Sequence, residues 1–308
     1  MLRSILVPLD GTPFSELSLP LAAEVAKASE AALHLARVHV PHAPDGLLSN
    51  TSFQWEGVDL SEYDRKKRFR EEEYLHEVEA RVATNGLEVD SALLDEGDVT
   101  EQLCAYAREV EADAIFITSH ARGGVGRAVL GSVADRVLRD SHLPVVIVHP
   151  SKGERDVAAP RDVDHILVPV DWSNLAGTVF GPVVDLAKAT GARVTLTSIV
   201  TPTVLGPRIP PVEPEAPDED ELRARDYLEN MADELLRAEG LDVDVVVVSA
   251  NDPVRGIISV AEVCGVDLIA MATHGFGGVK RLIAGSVADR VLLTSELPIL
   301  VMRPRIEA

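Results

Sequence analysis

The chain has 308 residues, 46% of them hydrophobic, and its 29 basic and 50 acidic side chains give a formal net charge of −21. The length predicts roughly two domains, and the charge excludes nucleic acid and anionic membranes as expected partners because an acidic surface repels both. No cationic and apolar leader opens the chain, and no apolar run approaches the roughly 18 residues of a membrane span. We therefore expect a cytoplasmic protein that does not insert into membranes.

The first half of the chain alternates apolar strand patterns with helical patterns. It opens with "SILVPLD", a continuous apolar run typical of a strand that is buried on both faces. Later in this half, Asp98 and Glu101 have the spacing of a capping box and predict the start of a helix. The main predicted segments are strands at 4–10, 32–40 and 143–150, helices at 15–29 and 65–85, and a variable segment at 41–64.

The second half repeats this order. It opens with "HILVPVD", and Asp252 followed by Pro253 predicts another capped helix. The polar, non-periodic segment between the halves reads as a linker. The sequence therefore predicts two similar domains, 1–150 and 165–308, joined by a linker at 151–164.

Strands that alternate with helices predict a parallel sheet with helices on both faces. Each half is expected to be an α/β domain with a five-stranded, doubly wound parallel sheet of the flavodoxin-like or Rossmann-like kind. Each half also closes with a short apolar strand, "LPVVIVHP" at 143–150 and "LPILVMRP" at 297–304. Such strands need cover if they lie at sheet edges.

A glycine-rich stretch occurs twice in the chain. "SHARGGVGRAVLGSVADRVL" covers 119–138 and "THGFGGVKRLIAGSVADRVL" covers 273–292, with thirteen of nineteen positions identical from His120 and His274 onward. In each copy Gly and Ser stand just before a helical run, where glycine allows close approach of a ligand and free N–H groups attract an anion. The loop could therefore hold phosphate, or it could be a turn that serves packing alone.

These features resemble the universal stress protein family in its tandem two-domain form. Nucleotide-binding members of that family carry G-x-x-G, nine residues, and then G-[S/T]. The second half matches this pattern except that Ala272 replaces the first glycine, whereas the first half replaces two glycines with Thr118 and Ala121. Family positions near the adenine match Asp10 and Asp171, and Val40 matches in the first half only, since Thr201 stands at its counterpart.

The resemblance implies a nucleotide site in either half. In the second half the implied contacts are Asp171, Ala272, Gly275, Gly285, Ser286 and Val287. In the first half they are Asp10, Val40, Thr118, Ala121, Gly131, Ser132 and Val133. The loop favours the second half and the adenine pocket favours the first, and we give the loop more weight because it contacts the phosphates.

The resemblance implies a stress-response module that binds ATP or a related adenine nucleotide, whose phosphates could carry Mg²⁺. It also implies that the closing strands pair the two domains within the chain, and that chains associate as homodimers. A nucleotide-free interaction protein is the alternative, because glycines are missing from both loops. A slow nucleotide hydrolase is the second alternative, slow because no positioned base for water is evident. His120 and His274 open the two loops and suggest acid–base work, but a histidine that bridges loop and strand backbone is the simpler interpretation. No dedicated enzyme activity is predicted.

Overall fold

A computed structural model describes residues 1–41, 60–83, 86–119, 130–150, 162–171, 176–201, 219–273 and 286–303. In the first half the elements are β1 (Ser4–Pro8), α1 (Leu19–Ser29), β2 (Ala32–Val38), α2 (Leu60–Val82), β3 (Val89–Leu94), α3 (Val99–Glu109), β4 (Ala114–Thr118), α4 (Ser132–Asp140) and β5 (Val145–Val148). In the second half they are β6 (His165–Pro169), α5 (Phe180–Thr190), β7 (Arg193–Val200), α6 (Glu219–Leu235), β8 (Val243–Ser249), α7 (Pro253–Cys264), β9 (Leu268–Ala272), α8 (Ser286–Thr294) and β10 (Ile299–Met302). The predicted α/β class and tandem arrangement are confirmed.

The predicted first helix of each half starts later than the sequence suggested. A 3-10 turn, Ser15–Ser18, precedes α1, and another, Ala176–Val179, precedes α5. The predicted long helix at 65–85 starts earlier, at Leu60, so α2 takes in part of the segment that had been assigned to the variable region. The polar residues at its start fit a solvated first turn, which the hydrophobic pattern alone does not mark.

The ten strands within the described residues form one sheet in the order β3-β2-β1-β4-β5-β10-β9-β6-β7-β8. Within each half the strands run parallel, and β1 and β4 are buried along their whole lengths, as continuous apolar runs predict. Helices cover both faces. The core on one face includes residues of α1, α2, α5 and α6, and the core on the other includes residues of α3, α4, α7 and α8.

The two halves join through their closing strands, which pair antiparallel at the centre of the sheet. Val146 lies opposite Leu300 in this pair, and the two are equivalent positions of the halves, since 300 − 146 = 154 matches the offset between the glycine loops. A local twofold axis therefore passes near this pair. The predicted pairing within one chain is confirmed, and it removes two sheet edges that would otherwise be open.

Both predicted helix caps form in the structure. Asp98 accepts hydrogen bonds from the backbone N–H groups of Thr100 and Glu101, at 3.0 and 3.1 Å. Asp252 caps α7 in the same way. The repeated Asp-Arg dipeptides supply a second contact to each cap: Arg136 binds Asp98 at 2.6 Å, and Arg290 binds Asp252 at 2.7 Å. These arginines therefore make surface contacts within each half.

Among the described helices, none combines the length and apolarity that crossing a membrane requires.

Candidate functional site

The carboxyl ends of β1, β2 and β4 open into a cavity of about 490 Å³ in the first half. This is the edge at which open α/β sheets bind ligands, and the volume lies within the usual range of small-molecule pockets, roughly 300–1,000 Å³. The structure brings six predicted first-half residues together in its wall: Asp10, Val40, Thr118, Gly131, Ser132 and Val133. The seventh, Ala121, lies outside the described residues.

Asp10 follows β1 and is held by the turn that comes after it. Its Oδ1 atom accepts hydrogen bonds from the backbone N–H and the hydroxyl of Thr12, at 2.9 and 2.6 Å, and its own N–H donates to Ser15 Oγ at 3.2 Å. Burial alone would raise the pKa of Asp10, but these hydrogen bonds and the charge of Arg37 outweigh it and lower the pKa. The carboxyl group is therefore ionised at neutral pH and can accept hydrogen bonds from a ligand.

The N-terminus of α4 also lines the cavity. The hydroxyl of Ser119 accepts a hydrogen bond from the N–H of Gly131 at 2.9 Å, which fixes the chain just before the helix starts at Ser132. Among the described residues, no side chain makes a capping hydrogen bond at this end. The first N–H groups of the helix are therefore open to a ligand, and the helix dipole favours an anion there.

Arg37, in β2, is a cavity residue that the motif did not indicate. Its Nη2 atom donates to Glu71 Oε1 at 3.1 Å, and its guanidinium lies 5.5 Å from the centroid of the Tyr74 ring. On the other side it packs against Gly11, where a Cβ atom would come within 1.9 Å of Nη1. Gly11 also has a φ of +84°, so a side chain at this position would be disfavoured twice.

A chain of polar contacts leads from Arg37 into the protein. The second oxygen of Glu71 lies 2.6 Å from Nδ1 of His39, whose Nε2 lies 2.8 Å from Oδ1 of Asp64. The His39 side chain is completely buried, and Glu71 is nearly so. Lys67 donates to the carbonyl of Val40, which binds the end of β2 to α2.

The sequence contained a signal for this cluster. Arg37 and His39 interrupt an apolar strand, "ALHLARVHV", and α2 carries the charged run "DRKKRFREEE". Charged residues at inward-facing strand positions need partners, so two in one strand predict a charged helix packed over it. Spacing rules for metals or catalytic triads miss this arrangement, because the residues that meet are far apart in the sequence. Among the described residues, no group of three or more His, Cys, Asp or Glu side chains could hold a metal ion.

In the second half the structure describes four of the six predicted site residues. Asp171 lies just past β6 and is exposed, and Ala272 ends β9. Ser286 and Val287 begin α8. These positions lie at the carboxyl edge of the second half's own strands, which is the opposite edge of the ten-stranded sheet because the two halves pair antiparallel. Gly275 and Gly285 lie outside the described residues, as do His120 and His274, so the site predicted there stays a prediction.

Comparison with known proteins identifies the family. The model of the universal stress protein family matches the chain twice, over residues 1–149 and 162–303. The chain belongs to the universal stress protein family. The double match supports the tandem form that the repeated loop predicts, with one family unit in each half of the chain.

The relatives include proteins that align with this chain over nearly the full length of both. A universal stress protein of Mycobacterium tuberculosis is 25% identical over 318 aligned residues, which cover 97% of this chain and 94% of that one. One from Mycolicibacterium smegmatis is 27% identical over 72% of this chain and 71% of its own length. A crystal structure of a universal stress protein from Archaeoglobus fulgidus superposes with a TM-score of 0.70 at 22% identity, over 97% of this chain and 98% of that one, which shows the shared fold.

Proposed function

We propose that this universal stress protein binds ATP or a related adenine nucleotide in the first-half cavity. The observation that carries the proposal is the convergence of six motif positions around one cavity of about 490 Å³, whose wall includes an ionised carboxylate and a helix N-terminus that no described side chain caps. The phosphates would lie at the start of α4, beside Gly131 and Ser132. The base would lie between Asp10 and Val40.

The chemistry of the wall fits such a ligand. The cavity exposes more apolar than polar surface, which suits a purine ring, and its polar lining residues can fix the orientation of a ligand. A net charge of −21 repels an anionic ligand such as a nucleotide, and a local anion site at the start of α4 would offset that repulsion. Magnesium would have to be held mainly by the nucleotide's own phosphates, since the described residues offer no metal cluster.

The proposed role is regulatory binding, with the bound nucleotide changing the conformation or the partner contacts of the chain. Glycine at two loop positions is replaced by Thr118 and Ala121. Thr118 is compatible with binding, because it is nearly buried and its hydroxyl donates to the carbonyl of Ser15 at 3.2 Å. The glycine loop alone favours the second half, and the proposal is placed in the first because the wall of its cavity lies among the described residues.

The test begins with the purified protein and no added nucleotide. Denaturation followed by chromatography and mass spectrometry should release an adenine nucleotide, at close to one per chain, or calorimetry should detect ATP binding to the empty protein. Gly131→Val should weaken ATP binding by at least about tenfold, because its methyl groups would enter the contact with Ser119 at the helix start.

Gly285→Val is the matched control, since Gly285 occupies the same motif position in the second half. It should leave ATP affinity unchanged. A loss of binding with Gly285→Val but not with Gly131→Val would place the site in the second half and contradict the proposal. A protein that carries no nucleotide and ignores ATP would leave the nucleotide-free interaction protein as the function.

A further inference from the structure

We propose that Arg37 recognises the base of the bound nucleotide. In this inference its guanidinium donates a hydrogen bond to the purine ring nitrogen that neighbours the exocyclic amine, while Asp10 accepts a hydrogen bond from the amine. The inference rests on the proposed function, because it assigns the contacts of one end of the same cavity. Arg37 would then be a specificity-determining residue.

Arg37 is held ready for a ligand. It has five N–H donors, and its hydrogen bonds among the described residues use one of them, at Glu71. Its contacts with the Tyr74 ring and with Gly11 restrict the movement of the guanidinium. Its side chain keeps 18% of its surface exposed, and it lines the cavity. Donors fixed in this way cost little further ordering when a ligand arrives.

The residues behind Arg37 act as positioning residues. Glu71 holds the guanidinium with one carboxylate oxygen, and His39 holds the other oxygen. Asp64 in turn binds the far side of the His39 ring. Since His39 and Glu71 are buried, their contacts are protected from water, and the orientation of the guanidinium is fixed from inside the protein.

Arg37 and Asp10 present a donor beside an acceptor. The charge of Arg37 lowers the pKa of Asp10, and its guanidinium packs on Gly11, the next residue along the chain. Adenine has a donor beside an acceptor on both of its exposed edges, because N1 and N7 each neighbour the amine. Guanine places the O6 acceptor where adenine has its amine, so that O6 would face the carboxylate of Asp10.

The other polar group at this end is already engaged. Lys67 donates to the carbonyl of Val40, so that carbonyl is less available to the amine of a base. Asp10 therefore remains the acceptor for the amine, because a carboxylate can accept further hydrogen bonds beyond those from Thr12.

The experiment compares ATP with 1-deaza-ATP and 7-deaza-ATP, in which one ring nitrogen is replaced by C–H. Calorimetry on the unmodified protein should show about tenfold weaker binding of one of the two analogues, the expected size for one lost hydrogen bond to a charged donor. Arg37→Met should weaken ATP binding by a similar factor and should bind ATP and that analogue equally. Ser198→Ala is the control, because Ser198 is the second-half counterpart of Arg37. Pro8 pairs with Ala36 in the first half and Pro169 pairs with Thr197 in the second, and Arg37 and Ser198 are the next residues of these strands.

The outcomes separate the inference from the proposed function. If the unmodified protein binds ATP and both analogues with equal affinity, the inference is wrong and the proposed function stands. If it prefers GTP to ATP, Arg37 and Asp10 do not bind a ring nitrogen and the neighbouring amine, and the inference is again wrong. If it binds none of these nucleotides, both proposals fail. Because the analogues are tested on the unmodified protein, a folding defect in Arg37→Met cannot produce a false result.

Discussion

The two halves of the chain share a scaffold but differ at the base end of their sites. In the first half three ionisable side chains contact one another there: Arg37, His39 and Glu71. The strand register places Ser198 and Val200 of the second half at the positions of Arg37 and His39. Ala224, the first buried residue of α6, corresponds to Glu71 of α2. One half therefore contains a buried charge cluster where the other contains small or apolar side chains.

This difference shows which features the duplicated fold itself requires. The helix caps, the arginines that bind them and the closing strands occur in both halves, because they stabilise the sheet and its helices. The charge cluster occurs in one half only, so the fold does not need it. A buried cluster of charges is costly to desolvate, so its presence in the half that contains the cavity supports the proposed role of Arg37 there.

The largest expected effect is at the junction that both halves share. Val146→Asp and Leu300→Asp would each place an unpaired carboxylate in the central strand pair, where both native side chains are buried. Each should lower the free energy of unfolding by about 4 kcal/mol or more, because a buried charge without a partner is among the most destabilising changes. Urea unfolding would measure the loss, and scattering would report any separation of the halves.

Val263→Asp is the control for these variants. Val263 is 84% exposed on α7, so a charge there should change the free energy of unfolding by no more than about 0.5 kcal/mol. If Val146→Asp left the unfolding midpoint and the compactness of the chain unchanged, the closing strands would not be the joint between the halves. Equal losses for Val146→Asp and Leu300→Asp would show that both halves depend on the joint to the same degree.

The second-largest expected effect concerns the charge cluster that lies in the first half only. Glu71→Ala would remove the carboxylate that both Arg37 and His39 contact, and should lower the free energy of unfolding by about 3 kcal/mol, because it leaves a buried cluster without its central partner. Glu72→Ala, at the next and exposed position, should change it by less than about 0.5 kcal/mol. Urea unfolding of both variants measures the difference, and equal stabilities would mean that the cluster contributes nothing.

Much of the fold could be predicted because its signals are local and repeated. Continuous apolar runs such as "SILVPLD" identify buried parallel strands, and Asp98 and Asp252 identify helix starts from one or two residues. The start of α2 was missed because its first turns are charged and solvated, and such a helix shows little hydrophobic periodicity.

The site could be predicted only where a motif marks it. Asp10, Gly131 and Ser132 were expected at one edge because strand ends of a parallel sheet converge there. Arg37 and Glu71 were not expected, because 34 residues separate them and the variable segment lies between. Which helix residue meets which strand residue depends on how α2 packs on the sheet, and sequence spacing does not fix that.

The smallest expected effect concerns two buried histidines that the halves do not share. His149 follows β5 where the second half has Arg303, and His165 begins β6 where the first half has Ser4. Burial lowers the pKa of both side chains, and the charge of Arg193 lowers that of His165 further. Just below about pH 6.5 the histidines of the unfolded chain begin to bind protons, whereas the native protein still holds both rings neutral.

The sign of the resulting pH dependence follows from this difference. The unfolded state binds more protons in this window, so stability is complete above about pH 6.5 and is lost as the pH falls, by at most about 1.4 kcal/mol per pH unit for each histidine. Urea unfolding between about pH 7.5 and pH 5 measures the slope, and His149→Gln and His165→Gln should each flatten it. Carboxylates with lowered pKa values, such as Asp10, lose their contribution only below about pH 4, so the two windows are distinct. A slope that neither variant changes would show that the buried rings are not its source, and a change with one variant would assign it to a single half.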